Sequence, residues 1–232
     1  MTHQAFKIAS LFPAGVAAAE IADSCAPATL LPEEETVLGK VSEKRRLDFM
    51  LGRQCARQAL RELGIGPVPI LRGATREPLW PPGVCGSITH CEGYCAAVAS
   101  LQSEIRSIGI DAERVQPLSD GVLQRVTIET ERIWIESVDS RMPWALVLFS
   151  AKESVFKAWF PVVGSWLGFQ HARIEFQPHA RAFRAVILPE APGAHEDTPT
   201  ELTGRFYVDG ERVFTSALIP ATLPQSRPLE WE

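Results

Sequence analysis

Cys95-Ala-Ala-Val-Ala-Ser-Leu101, Gln102-Ser-Glu104 and Ile105-Arg-Ser-Ile-Gly-Ile110 run straight into Asp111-Ala112-Glu113, and the class of fold turns on how they are read. Two short apolar segments joined by a three-residue polar turn predict a pair of strands. What lies on either side of the pair is helical, so the chain reads as helices followed by strands and then the same sequence of elements again.

On the N-terminal side, Pro32 followed by Glu33, Glu34 and Glu35 marks a helix start, with acids where the helix dipole favours them. A stronger helix is predicted from Ser42 to Leu63, with Gly64 as its stop. Leu47, Leu51, Cys55 and Ala59 recur every four residues on one face of it, and Arg46, Arg53 and Arg57 fall on another stripe. Residues 65–86 are rich in Pro and Gly and predict loop with one short strand. The stretch Ile8 to Ala19 after Lys7 is apolar but interrupted by Pro13 and Gly15, which favours an N-terminal strand and loop over a secretory signal.

On the C-terminal side, helix resumes near Asp120, and a last helix is predicted from Pro143 to Phe160, ended by Pro161. Strands follow at 172–176, 183–188, 206–208 and 213–219, the last two flanking the hairpin signal Asp209-Gly210. The fold class is therefore α+β, with no convincing internal sequence repeat.

The 232 residues carry a net charge of -5 and are 46% apolar, which fits a globular protein and excludes a global basic field for nucleic acid or anionic lipid. Any polyanion must be met by a local basic patch. Five cysteines, Cys25, Cys55, Cys85, Cys91 and Cys95, make an odd set in a chain large enough to fold without staples; free thiols in a reducing, cytoplasmic setting are expected. No apolar run reaches the ~20 residues of a membrane-spanning helix.

Four groups of residues carry chemical potential. Asp111 and Glu113, two apart on a strand, share a face. Their repulsion is relieved by a hard cation between them, or they are a solvated strand end. In Phe149-Ser-Ala-Lys-Glu-Ser-Val-Phe-Lys157, the residues Ser150, Glu153, Ser154 and Lys157 form one polar helical stripe. A plain Glu153–Lys157 surface pair and a capping box from Ser150 to Glu153 compete with a functional reading. Lys152 projects away from that stripe, beside Phe156 and Trp159, where it must reach back to water or meet an anion. Gly86-Ser87-Ile88-Thr89-His90, leading into a strand, combines a glycine that permits close backbone approach with a hydroxyl and an imidazole able to donate to phosphate. A structural histidine is the alternative; Cys91 and Cys95 do not complete a zinc site with it. The arginine stripe, with Lys44, Arg45 and Arg76, is a phosphate site or a solvated helix face.

Taken in order, these elements resemble the 4'-phosphopantetheinyl transferase superfamily, in its monomeric enterobactin-synthase-type branch. The resemblance rests on Gly109-Ile-Asp-Ala-Glu113 and Phe149 to Lys157, with support from Arg76-Glu-Pro-Leu-Trp-Pro81, Gly86 to His90 and the helix near 45–53. It covers roughly residues 40 to 162. It implies transfer of the 4'-phosphopantetheine arm of coenzyme A to a serine of an acyl, peptidyl or aryl carrier protein, leaving adenosine 3',5'-bisphosphate. Asp111, Glu113 and Glu153 would hold Mg²⁺, with Mn²⁺ as the alternative, and Glu153 would also help deprotonate the serine. Lys152 and Lys157 would neutralise the pyrophosphate. Thr89 and His90 would contact the 3'-phosphate, with Arg46, Arg53 and Arg76 around the nucleotide. The resemblance further implies a pseudodimer of two similar α+β halves, 1–115 and 116–232, with the active site between them. It also implies a monomer, since the trimeric relatives are about half as long. Siderophore or other secondary metabolism is the expected setting.

Two other readings stand beside this one. A metal-dependent nuclease would use two acids and Glu-x-x-x-Lys, but such sets put Glu and Lys two apart on a strand, and the acidic balance disfavours a long polyanion. A non-catalytic coenzyme A or carrier-binding module would keep the full set of charged groups at a cost in stability and without use.

Overall fold

The computed structural model describes residues 7–22, 29–138 and 141–221; Cys25 lies outside them. Two compact units divide within one strand, at Arg106 and Ser107, with Pro220 and Ala221 grouped with the first.

In the first unit, β1 (Ala17–Ala22) is followed by α1 (Pro32–Leu38) and α2 (Glu43–Glu62). Ser42 caps α2, its hydroxyl accepting from the Arg45 N–H. Gly64 at φ +77 supplies the left-handed turn that ends it. A small hairpin, β2 (Leu71–Arg72) and β3 (Pro78–Leu79), precedes β4 (Val84–Cys91) and β5 (Tyr94–Leu101). The order β1-β5-β4 is antiparallel throughout, with Glu92 and Gly93 as the tight turn between Cys91 and Tyr94. Central β5 is alanine-rich and buried on both faces, which lets α2 lie close on the sheet. The packed face of α2 is Cys55, Ala56, Ala59 and Leu60. Cys55 and Ala59 belong to the expected apolar stripe, but Leu47, in the charged N-terminal turns, is 50% exposed.

The second unit takes most of β6 (Ile105–Arg114), then α3 (Asp120–Val126), α4 (Glu129–Ser137) and α5 (Trp144–Val163). It closes with β7 (Ala172–Gln177), β8 (Ala182–Ile187), β9 (Glu201–Val208) and β10 (Arg212–Pro220). The sheet order is β6-β10-β9-β8-β7. The predicted hairpin is present, with Val208 opposite Val213. α5 covers this sheet with Val147, Leu148, Ala151, Val155, Ala158 and Trp159, and Trp144, Phe176 and Phe206 stack within the same core. The helix passes through Pro161 and ends on left-handed Gly164. Proline is tolerated in this last turn because few helical residues follow it, so the expected stop at Phe160 falls one turn early.

The architecture is thus α+β. Each unit also contains the same buried arrangement. Glu34, in the first turn of α1, accepts hydrogen bonds from the Leu31 and Ile70 N–H groups and from Arg57 of α2. Glu131, in the first turn of α4, accepts from the Ile128 and Ile174 N–H groups and from Lys152 of α5.

Candidate active site

The acidic strand and the polar helical stripe meet in the second unit, and a glycine makes the meeting close. A Cβ built on Gly109 would lie 1.8 Å from the Ser154 carbonyl oxygen and 2.7 Å from the Ala158 nitrogen, so only glycine lets β6 and α5 approach this far. Residues two and four further along a strand share its face. Asp111 and Glu113 therefore point the way Gly109 does, toward α5.

Asp111 is buried and held from two sides. Its Oδ1 receives Lys157 Nζ at 2.7 Å, and its Oδ2 receives the Ser150 hydroxyl at 2.9 Å. Lys157 Nζ also donates to the Ile110 carbonyl at 3.0 Å. Ser150 is thus mid-helix and not a cap; its hydroxyl is spent on the carboxylate. Glu113 stands beside Asp111 with its carboxyl pushed up to about 7, first by burial, then by the Asp111 charge, with Glu153 adding to it and Lys157 opposing it. Burial is also the main cause raising Glu153, with the Asp111 charge adding and Lys157 opposing. Glu113 and Glu153, both raised by burial and by the Asp111 charge, crowd a third carboxylate, and such crowding is what a hard divalent cation relieves. Among the described residues, no three His, Cys, Asp or Glu side chains converge tightly enough to enclose a metal ion as they stand. The set supplies the oxygen donors and the charge, without a closed coordination shell.

Lys152 does not join this group. Its side chain is 1% exposed, and its ammonium donates to Glu131, the Val126 carbonyl and the Phe169 carbonyl at 2.7, 2.8 and 2.7 Å. All three N–H donors are spent inside the protein, and burial lowers its proton affinity against the pull of Glu131. The anion this lysine needs is Glu131, which sequence periodicity had no means of pairing with it. Beyond Glu153 lies a small pocket lined by Lys152, Glu153, Phe156, Trp166, Leu167 and Phe169, among others. Trp166 is 67% exposed at its rim, its ring 4.4 Å from that of Phe156.

The residues predicted to meet a nucleotide all lie in the first unit. Arg53 is only 6% exposed. Its guanidinium donates to the Ile70 and Leu71 carbonyls and lies over the Phe49 ring. Burial pulls its pKa down to about 10. It is committed to the fold, as is Arg57 through Glu34. Arg46 is half-buried and pairs with Glu35 at 2.6 Å. Arg76 sits exposed at the tip of the β2–β3 hairpin with φ +76. Thr89 and His90, adjacent in β4, point to opposite faces: Thr89 is buried, whereas His90 is exposed with Nε2 3.6 Å from Asp48. Gly86 is approached closely by the Trp80 indole, not by open space, since a Cβ there would lie 2.5 Å from that ring.

Comparison with known proteins supports this division. Residues 33–100 match the family model of the 4'-phosphopantetheinyl transferase N-terminal domain, and residues 107–205 match that of the 4'-phosphopantetheinyl transferase superfamily. The chain is 46% identical to the 4'-phosphopantetheinyl transferase Npt of Nocardia iowensis over 170 residues, 73% of this chain and 77% of that one. It is 38% identical to the 4'-phosphopantetheinyl transferase PptT of Mycobacterium tuberculosis over 221 residues, 91% and 97% of the two chains. It is 38% identical to enterobactin synthase component D of Escherichia coli over 130 residues, 52% and 58% of the two.

Proposed function

The chain belongs to the 4'-phosphopantetheinyl transferase superfamily, and we propose that it moves the phosphopantetheine arm of coenzyme A to a carrier-protein serine through Asp111, Glu113, Glu153 and Lys157. The transferase activity follows from the family; the co-substrate, the metal and the residue roles are the proposal. The observation that carries it is the gathering of three carboxylates on one strand face and one helix stripe, with Lys157 on Asp111 and with Glu113 and Glu153 raised in proton affinity by burial and by the Asp111 charge.

In this reading Asp111, Glu113 and Glu153 hold Mg²⁺, or Mn²⁺, which stabilises charge on the pyrophosphate when bound. Lys157 leaves Asp111 to neutralise the pyrophosphate, and Glu153 takes the proton of the attacking serine. Lys152 acts through Glu131 and the fold. His90, Arg46 and Arg76 reach the surface and are assigned to the phosphates of the nucleotide, Arg46 by exchanging Glu35 for them, and Arg53 and Thr89 shape the elements that carry them. The aromatic pair of Phe156 and the exposed Trp166, beside Glu153, is assigned to the uncharged pantetheine arm.

We further infer a chain built of two similar α+β halves, since each unit pairs one 20-residue helix with an antiparallel sheet and repeats the same buried glutamate arrangement. We take the protein as a monomer working in the cytoplasm on siderophore, polyketide or peptide carriers; the siderophore setting is the one after which relatives are named, as enterobactin synthase component D. Among the described residues no helix is long and apolar enough to cross a membrane.

The test is the intact mass of purified apo-carrier protein after incubation with this protein, coenzyme A and Mg²⁺. One added phosphopantetheine, abolished by EDTA, is expected. No mass gain on fatty-acid, polyketide or peptide carriers, together with no binding of coenzyme A in a titration, would sink the proposal.

A further inference from the structure

Ser150 is in an unusual position for a helical serine. A serine in a helix interior normally turns its hydroxyl back to a carbonyl of the preceding turn, and Ser154, one turn later, does so, donating to the Ala151 carbonyl at 2.8 Å. Ser150 instead reaches out of its helix to Asp111 Oδ2. What differs is Thr215 of β10. Its hydroxyl donates to the Ser150 carbonyl at 2.8 Å, and its Oγ1 also lies 2.9 Å from Ser150 Oγ. Both hydroxyls are fully buried. Thr215 spends its one hydroxyl hydrogen on the Ser150 carbonyl, so its Oγ1 faces Ser150 Oγ as an acceptor, and the serine hydroxyl is held in place between Asp111 Oδ2 and Thr215 Oγ1.

Resting on the metal role proposed for Asp111, we propose that Thr215 and Ser150 are positioning residues: a relay from β10 through α5 that fixes Asp111 Oδ2 and leaves Oδ1 as the oxygen that exchanges cations. Lys157 holds Oδ1 in the present arrangement. A carboxylate gripped at one oxygen presents the other in one direction, so a cation arriving there meets a donor already oriented. Groups that orient a metal ligand typically change metal affinity ten- to a hundredfold when removed.

The experiment uses the full chain with coenzyme A present and reads the Mg²⁺ concentration giving half-maximal thermal stabilisation, alongside the Mg²⁺ dependence of transfer. Thr215→Val is expected to raise both midpoints about tenfold, and Thr215→Ser, which keeps the hydroxyl, to restore them. Should Thr215→Val fail to fold, Ser150→Ala serves in its place, as a small substitution toward a better helix former. Variants whose Mg²⁺ midpoints stay within about twofold of the parent, below the range expected for such groups, overturn the inference. So does a loss of melting temperature with the midpoints unmoved, which makes the pair merely structural. A parent protein without any Mg²⁺ response overturns the metal assignment itself, and is recognisable because it fails before any variant is made.

Discussion

Two lysines five residues apart on one helix have opposite fates, and the difference is entirely in their surroundings. Lys157 meets a carboxylate at the edge of water, whereas Lys152 spends every donor on buried acceptors. The acids around Lys157 are short of compensation, and that makes the metal-free protein sensitive to pH. Glu113 has its folded-state pKa raised from 4.5 to about 7, so between those values the folded state holds more protons than the unfolded one. Stability from this group is therefore complete below about 4.5 and is lost as pH rises toward 7. At a partly exposed position, solvent screening reduces the effect to on the order of 1 kcal/mol. Glu113→Gln should accordingly raise the melting temperature of the metal-free protein at pH 8 by a few degrees and leave it unchanged near pH 4.5. Calorimetric scans at the two pH values check this. In saturating Mg²⁺ the order should reverse, because the variant lacks a donor. A variant no more stable than the parent at pH 8 would remove the repulsion.

At the scale of elements, the outline was legible because local signals were strong. Ser42 and Gly64 bracket α2, Asp209-Gly210 sits between β9 and β10, and the polar turn before Ile105 separates β5 from β6. The acid pair on β6 and the stripe on α5 were legible by period alone. What period does not carry is which element lies opposite. The carbonyls of Ile70 and Leu71 that hold Arg53, the Glu131 beneath Lys152 and the Thr215 behind Ser150 are 17 to 65 residues distant, and no repeat links such positions. Gly109 is the exception, a local signal with a long-range cause. Its missing Cβ marks where β6 and α5 touch. Gly109→Ala should push the strand off the helix, costing about 1–3 kcal/mol by overpacking, and should lower transfer more than its stability loss explains, since the acids move with the strand. Denaturant unfolding and turnover measured on one preparation test this, and unchanged turnover would show that the acids tolerate the shift.

At the scale of the whole chain, the glutamate arrangement built once around Glu34 and again around Glu131 ties a short helix, a long helix and a later backbone N–H together in each unit. Each is a buried charge whose worth lies in being paired: removing one partner strands the other, at about 3–5 kcal/mol, while replacing both by neutral groups is far milder. The second arrangement also separates two meanings of Lys152. Glu131→Gln should destabilise strongly, by leaving the ammonium buried among carbonyls. Glu131→Gln combined with Lys152→Met should recover most of that loss, with the positive coupling between the two changes read from denaturant unfolding. If Lys152 serves only the fold, the folded double variant retains transfer activity within about tenfold of the parent, a loss no larger than ~1.4 kcal/mol of barrier. If Lys152 neutralises the pyrophosphate, the double variant folds but loses transfer by a hundredfold or more, the scale on which a charge-stabilising group at the reacting centre is felt. The three donors already spent on Glu131, Val126 and Phe169 favour the first outcome.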